Sequence, residues 1–257
     1  MKTYGLVCAV LLSAFALAAD APKDTRFFEM RTYYAAEGKL DALNARFRNH
    51  TCKLFEKHGM TNIGYWMPLD NPDRKLIYVL AYPSREAREK SWKDFMADPD
   101  WQAVVKESEK DGKLLAKIES LYLNATDFSP EAKPTAENPA RVFELRIYKA
   151  TENHLPDLLA RFRDHTVKLF AKHGMTQIAY WTPADKNKGA DDTLVYILAH
   201  KSKEAAAESF GTFRKDPDWI AAKKASEDKA GGPLTVQPQE VGVKSVFMAP
   251  TDYSPMK

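Results

Sequence analysis

Two histidines occupy matching places in a stretch that this chain carries twice. RFRNHTCKLFEKHGMTNIGYW runs from Arg46 to Trp66, and RFRDHTVKLFAKHGMTQIAYW from Arg161 to Trp181. His50 and His165 therefore recur together with Thr51 and Thr166 beside them and with Tyr65 and Tyr180 further on. An imidazole changes charge near neutral pH, which suits it to act as a general base or a ligand contact. A wheel drawn at about 100° per residue puts Leu40, Leu43, Phe47 and Leu54 on one apolar stripe, with His50 on or beside it. Leu155, Leu158, Phe162, His165 and Leu169 repeat the pattern. An imidazole facing the core must find a partner or remain costly. Two readings stand: a satisfied core histidine, or a polar group lining a pocket between helix and sheet, with Thr51, Tyr65, Thr166 and Tyr180 as further contacts.

A second constellation lies on the opening strand of each copy. FEMRTYY (Phe28 to Tyr34) and FELRIYK (Phe143 to Lys149) alternate apolar and polar residues, so Glu29, Arg31 and Tyr33 share one face, as do Glu144, Arg146 and Tyr148. If the apolar face meets the helices, these residues point away from them, toward the other copy. They would then line the interior of a barrel and put Arg31 and His50 on different sides of the sheet. Such residues would hold a polar ligand, or form an ion-pair network that fixes how the sheets pair. His58 and His173 precede the glycines that end the first helices, where a histidine suits the helix dipole. His50 and His58 stand about 12 Å apart along a helix, too far to share one metal ion, so no metal site is expected. Cys52 is replaced by Val167 in the second copy and reads as a small core residue. There is no phosphate loop, nucleophile elbow, dinucleotide fingerprint or zinc spacing, and the sequence names no cofactor.

The elements that position these residues repeat as well. KLIYVLAYPSREA pairs with TLVYILAHKSKEA, DPDW occurs twice, and ATDFSP returns as PTDYSP. Each copy reads β-α-β-β-α-β. Gly38 and Asn153 stand where the first helix opens as N-caps, and Gly59 and Gly174 where it closes. The second helix breaks and restarts at Asp98-Pro99, aspartate as cap and proline in the first turn. This order gives an antiparallel sheet with two helices on one face, the ferredoxin-like arrangement. The expected class is α+β: two tandem ferredoxin-like units pairing sheet to sheet as a barrel within one chain. The units span 26–129 and 141–255, joined by a Pro- and Ala-rich linker over 130–140. The second is longer, with an extended loop from Gly231 to Gly242.

Of the 257 residues, 28% are charged and 44% hydrophobic, the composition of a globular protein, and the net charge is only +3. Positive and negative residues are interspersed, so no basic face is expected for nucleic acid or membrane. Lys2, the apolar run YGLVCAVLLSAFALA and the Ala16-Leu17-Ala18 site predict a signal peptide over 1–18 and a periplasmic or secreted protein with no membrane contact after cleavage.

FEMRTYYAAEGKLDAL, FEKHG, GYW and DPDW, in this order and found twice, resemble the NIPSNAP family. Ala179 replaces Gly64 in the second GYW. The resemblance covers roughly 27–128 and 142–253. It implies a dimeric α/β-barrel architecture, here within one chain, and brings neither a catalytic set nor a cofactor. Relatives in that superfamily include cofactor-free and haem-degrading monooxygenases that bind ligand between sheet and helices. Three functions follow as expectations. The first is binding of a small molecule in paired helix–sheet pockets with His50 and His165 as contacts. The second is a monooxygenase-like activity with either histidine as base or axial ligand. The third is an interaction module whose helices or loop at Gly231–Gly242 meet a partner. The assembly is expected to be a monomer with an internal pseudo-dimer, or a homodimer paired through exposed sheet edges.

Overall fold

Residues 24–137 and 139–257 are described by a computed structural model; the expected leader over 1–18 lies outside them. The first unit runs β1 (Phe27–Ala35), α1 (Leu40–Arg46), α2 (Cys52–Lys57), β2 (Thr61–Pro68), β3 (Lys75–Tyr82), α3 (Arg85–Ala97), α4 (Pro99–Ser108) and β4 (Leu115–Ala125). The second repeats it with β5 (Val142–Lys149), α5 (Leu155–Arg161), α6 (Val167–Lys172), β6 (Thr176–Pro183), β7 (Thr193–His200), α7 (Lys203–Phe213), α8 (Pro217–Ala230) and β8 (Val243–Pro250). A single turn, α9 (Gln239–Gly242), interrupts its extra loop.

Local chemistry explains most boundaries. Asp98 accepts a hydrogen bond from the Asp100 N–H at 2.8 Å, and Asp216 from Asp218 at 2.9 Å, with proline following each cap. Gly59 and Gly174 close the first helices at φ +76°, the left-handed conformation that glycine takes without steric cost. His58 and His173 reach from these helix ends to the capping aspartates, at 2.6 Å from Asp98 and 2.7 Å from Asp216. The openings differ from expectation. Gly38 and Asn153 are left-handed turn residues at φ +67° and +64°, and Lys39 and His154 hold the cap positions without a side-chain bond to the helix N–H groups.

The strands form one closed antiparallel barrel in the order β1-β3-β2-β8-β5-β7-β6-β4. Within each unit the order is the ferredoxin-like one, and the units join at two seams. Trp66 to Pro68 pair with Met248 to Pro250, and Leu123 to Ala125 pair with Trp181 to Pro183. Each of these eight strands has a neighbour on both sides, so the sheet edges expected to drive dimerisation are closed within the chain.

The repeated TDFSP and TDYSP segments cross from one unit to the other. Ser129 Oγ accepts from the Tyr180 N–H at 2.9 Å, and Ser254 Oγ from the Tyr65 N–H at 3.0 Å. Phe128 packs on Tyr180, Tyr253 packs on Tyr65, and Asp127 and Asp252 pair with Arg163 and Arg48.

The barrel interior is apolar. Phe28, Met30, Trp66, Phe143, Leu145 and Trp181 meet there with aliphatic residues of the other strands. No described helix is long and apolar enough to cross a membrane.

A Cβ at Gly64 would stand 2.3 Å from two ring carbons of the fully buried Trp66. Gly64→Ala should therefore lose about 1–3 kcal/mol of stability. Ala179→Gly, at the matching position, should lose about 1 kcal/mol or less. Urea denaturation of both variants checks the difference; equal losses would show that the Trp66 ring yields.

Candidate functional site

The first helix of each unit is not uniform. Between α1 and α2, Phe47–Thr51 make a π-helical turn: the Cys52 N–H bonds to the Phe47 carbonyl, five residues back. Thr51 Oγ1 adds a bond to the Arg46 carbonyl at 3.2 Å. Phe162–Thr166 repeat both features. A wide turn holds one residue more than an α-turn and shifts every later residue around the axis. The buried series becomes Leu43, Phe47, Thr51 and Phe55, and Leu54 is only half-buried. His50 and His165, expected on the inward stripe, are exposed on the outer side of the helix. His50 lines a shallow groove with Ala42, Asn49 and Val104. Thr51 and Thr166 take the inward places. Tyr65 and Tyr180 face the helices as expected, but they lie beneath Phe47 and Phe162, bonded to Asn62 and Gln177, and are not among the residues lining the two helix–sheet cavities.

The faces of the first strands are the reverse of the expectation. Glu29, Arg31 and Tyr33, like Glu144, Arg146 and Tyr148, point toward the helices and not into the barrel. A closed barrel is filled by inward side chains from every strand, which favours the purely apolar set. The helices, in contrast, carry partners for charge. Glu29 is fully buried. It accepts from Arg31 Nη1 at 2.7 Å, Arg88 Nε at 3.0 Å, Trp92 Nε1 at 3.0 Å and Ser120 Oγ at 2.5 Å. Burial alone would raise its pKa, but Arg88, Arg31 and Ser120 hold the carboxyl below its ordinary 4.5. Glu144 is held similarly by Arg146, His200 and Ser245. Ion-pair networks exist, but on the helix side: the first joins sheet to helix through Arg88, and the second links strands of its own unit. Arg31 and His50 thus lie on the same side of the sheet, separated by the helix.

Between this network and the helices of the first unit lies a cavity of about 350 Å³. Phe47, Phe55, Trp92, Phe95, Trp101, Val105 and Ile118 supply its apolar walls, and Arg31, Tyr33, Arg46, Thr51 and Glu109 its polar groups. Arg46 comes from the end of α1 and is 5% exposed. Its Nη1 donates to Glu109 at 3.0 Å, and its Nε–H is buried without a partner. The second unit has a smaller cavity of about 230 Å³ in the matching place, bounded by Tyr148, Arg161, Thr166, Lys223 and Glu227. There Gln237 and Gln239 of the extra loop form part of the wall. That loop is anchored by the Val236 N–H on the Lys149 carbonyl and by the fully buried Leu234. Most lining positions correspond, Arg46 to Arg161, Phe47 to Phe162, Phe55 to Phe170, Phe95 to Phe213 and Trp101 to Trp219; the second cavity differs in Lys223, which stands where the first has Val105, and in the wall added by its own loop.

Cys52 is half-buried, and burial pushes its thiol up to about 12, which disfavours the thiolate. Among the described residues no cluster of three or more His, Cys, Asp or Glu side chains is placed to hold a metal ion.

The NIPSNAP family profile matches residues 28–130 and again 143–255, most of the chain. The chain belongs to the NIPSNAP family. Among solved structures, it is similar to an anthrone oxidase-like protein, at 10% identity and a TM-score of 0.56, over 89% of this chain and 92% of that one. A provisionally named monooxygenase of Fusobacterium nucleatum is similar at 10% identity and a TM-score of 0.55, over 88% of this chain and 92% of that one. An uncharacterised NIPSNAP domain protein of Burkholderia xenovorans, 23% identical with a TM-score of 0.37, aligns over 99% of its length with 41% of this chain. Among curated proteins none matches. At these identities the likeness is one of fold.

Arg46, Trp92, Trp101 and Glu109 were not singled out from the sequence as site residues. Arg46 opens the repeated stretch and Trp101 closes the repeated DPDW, so their recurrence was the available signal.

Glu29→Gln should cost about 3–5 kcal/mol, since it leaves Arg31 and Arg88 buried against a neutral side chain. The native carboxyl is depressed, so its contribution is complete above 4.5 and is lost as pH falls below that value. Denaturation at a series of pH values should show wild type losing more stability on acidification than Glu29→Gln does. Parallel curves would mean that Glu29 carries no such linkage.

Proposed function

We propose that this NIPSNAP protein binds a small, largely apolar organic molecule in the helix–sheet cavity of its first unit. The observation that carries the proposal is an aromatic-walled space of about 350 Å³ with a few polar groups in its lining. That combination of size and lining is typical of ligand sites. The contacts assigned to it are Arg31, Arg46, Thr51, Trp92 and Trp101, with the exposed His50 and His165 left outside. The cavity of the second unit is smaller, more polar and bordered by its own loop, so binding of this molecule is proposed at one site per chain. The similar structures named for monooxygenase and oxidase chemistry bring no residue across at this identity, and binding therefore stands as the reading. Export through the first 18 residues belongs to the same proposal. It rests on Lys2, the apolar run and the small-residue site at Ala16-Leu17-Ala18.

Native mass spectrometry of the chain purified from its own cells tests both parts. The expected spectrum shows a mature chain beginning after Ala18 with one small-molecule adduct. Val105→Trp, which fills the cavity, should lose that adduct; the double variant His50→Ala, His165→Ala should keep it. An adduct that survives Val105→Trp, or disappears with the two histidines, would overturn the site.

A further inference from the structure

The two units offer an internal comparison, because equivalent arginines sit in different states. Arg146 uses all three of its nitrogens on the protein. Nη1 donates to Glu144, Nε to the Tyr196 hydroxyl at 2.9 Å, and Nη2 to the Tyr148 hydroxyl at 3.1 Å. It does not line the cavity of its unit. Arg31 has the same three partners within its own sequence, Glu29, Tyr78 and Tyr33, yet only Nη1 is bonded, to Glu29. Its Nε–H and the Tyr78 hydroxyl are both buried and without a partner. The guanidinium lies 4.3 Å over the Trp92 ring, as Arg146 lies 4.6 Å over Phe210, but Arg31 alone of the two forms part of its cavity wall.

Sequence differences between the copies account for the change. Trp92 is replaced by Phe210, Arg88 by Ala206 and Tyr82 by His200. In the second unit the carboxylate of Glu144 serves a single arginine; in the first, Glu29 is shared between Arg31 and Arg88. Arg31 is therefore the less neutralised of the pair and also the less hydrogen-bonded. Arg46, with its own unpartnered Nε–H, adds a second guanidinium to the same cavity; Arg161 does the same in the second unit, so Arg31 is what sets the first cavity apart. A buried donor without a partner costs roughly 1–3 kcal/mol, and more when charged, so two in one cavity call for acceptors.

We infer that the molecule taken by the first unit is an organic anion: an aromatic or aliphatic body held against Trp92, Trp101 and Phe95, with a carboxylate or similar group received by Arg31 and supported by Arg46. This rests on the binding reading above and names its ligand class. A charged acceptor is favoured over a neutral one because hydrogen bonds to an ionised group are about twice as strong as neutral ones. The matching cavity of the second unit, whose Arg146 is fully bonded, should show no such preference.

The test is isothermal titration calorimetry of the full chain with naphthoate and with its neutral amide, which differ little in shape. Wild type should bind naphthoate at least ~10-fold more tightly than the amide. Arg31→Gln should bring the affinities for naphthoate and amide to within about twofold of each other, and Arg146→Gln should leave the preference intact. Equal binding of the two probes by wild type would overturn the anion inference and leave the binding reading standing. So would a preference that survives Arg31→Gln. If neither probe binds, the cavity is not a site for molecules of this kind and both proposals fall. The wild-type comparison needs no variant to fold.

Discussion

The structure depends on closure. Neither four-stranded half has a complete sheet alone. Each ends in edges that only the other half can pair, and the two seams between β2 and β8 and between β4 and β6 supply that pairing. The crossing TDFSP and TDYSP segments reinforce it, since each presents a serine acceptor to a backbone N–H of the opposite unit. Closure also decides which side chains go where. Once the barrel is sealed, its interior is apolar, with Trp66, Trp181, Phe28 and Phe143 filling it. All buried charge on the first strands must then be accommodated under the helices.

That redistribution places the buried carboxylates Glu29 and Glu144 on the helix side of the sheet; Glu29 binds donors from both layers, whereas the donors to Glu144 all come from strands. In the first unit the joint between sheet and helix is strong because Arg88 and Trp92 of α3 both reach Glu29. The cavity opens just beyond it. A ligand site built in this position borrows its rigidity from the network, and its polar groups come from elements fixed for other reasons.

Much of the architecture was legible in the chain. The doubled motifs gave the two units, the Asp-Pro restarts gave the breaks between α3 and α4 and between α7 and α8, and the resemblance pointed to a barrel within one chain. What failed did so for physical reasons. Alternation in FEMRTYY tells which residues share a face, but not whether that face meets helices or barrel; the direction follows only from closure. The placement of His50 rested on a regular helix, and the π-helical turn at Phe47–Thr51 exchanged it for Thr51. Nothing in FRNHT or FRDHT announces such a turn by composition alone. The difference between the cavities, by contrast, was written in plain view. Trp92 against Phe210 and Arg88 against Ala206 can be read by laying one copy over the other.

The fusion of both halves into one polypeptide has a consequence for specialisation. When identical subunits form such a barrel, every substitution arrives in both halves at once, so a change that suits one pocket is imposed on its twin. A single chain is released from that symmetry. Here one half carries an arginine fully tied into its own framework. Its counterpart keeps the same residue bonded through a single nitrogen, at the wall of an aromatic cavity. On the binding proposed above, the first arrangement serves cohesion and the second recognition, a division of labour that a homodimer of identical halves cannot encode.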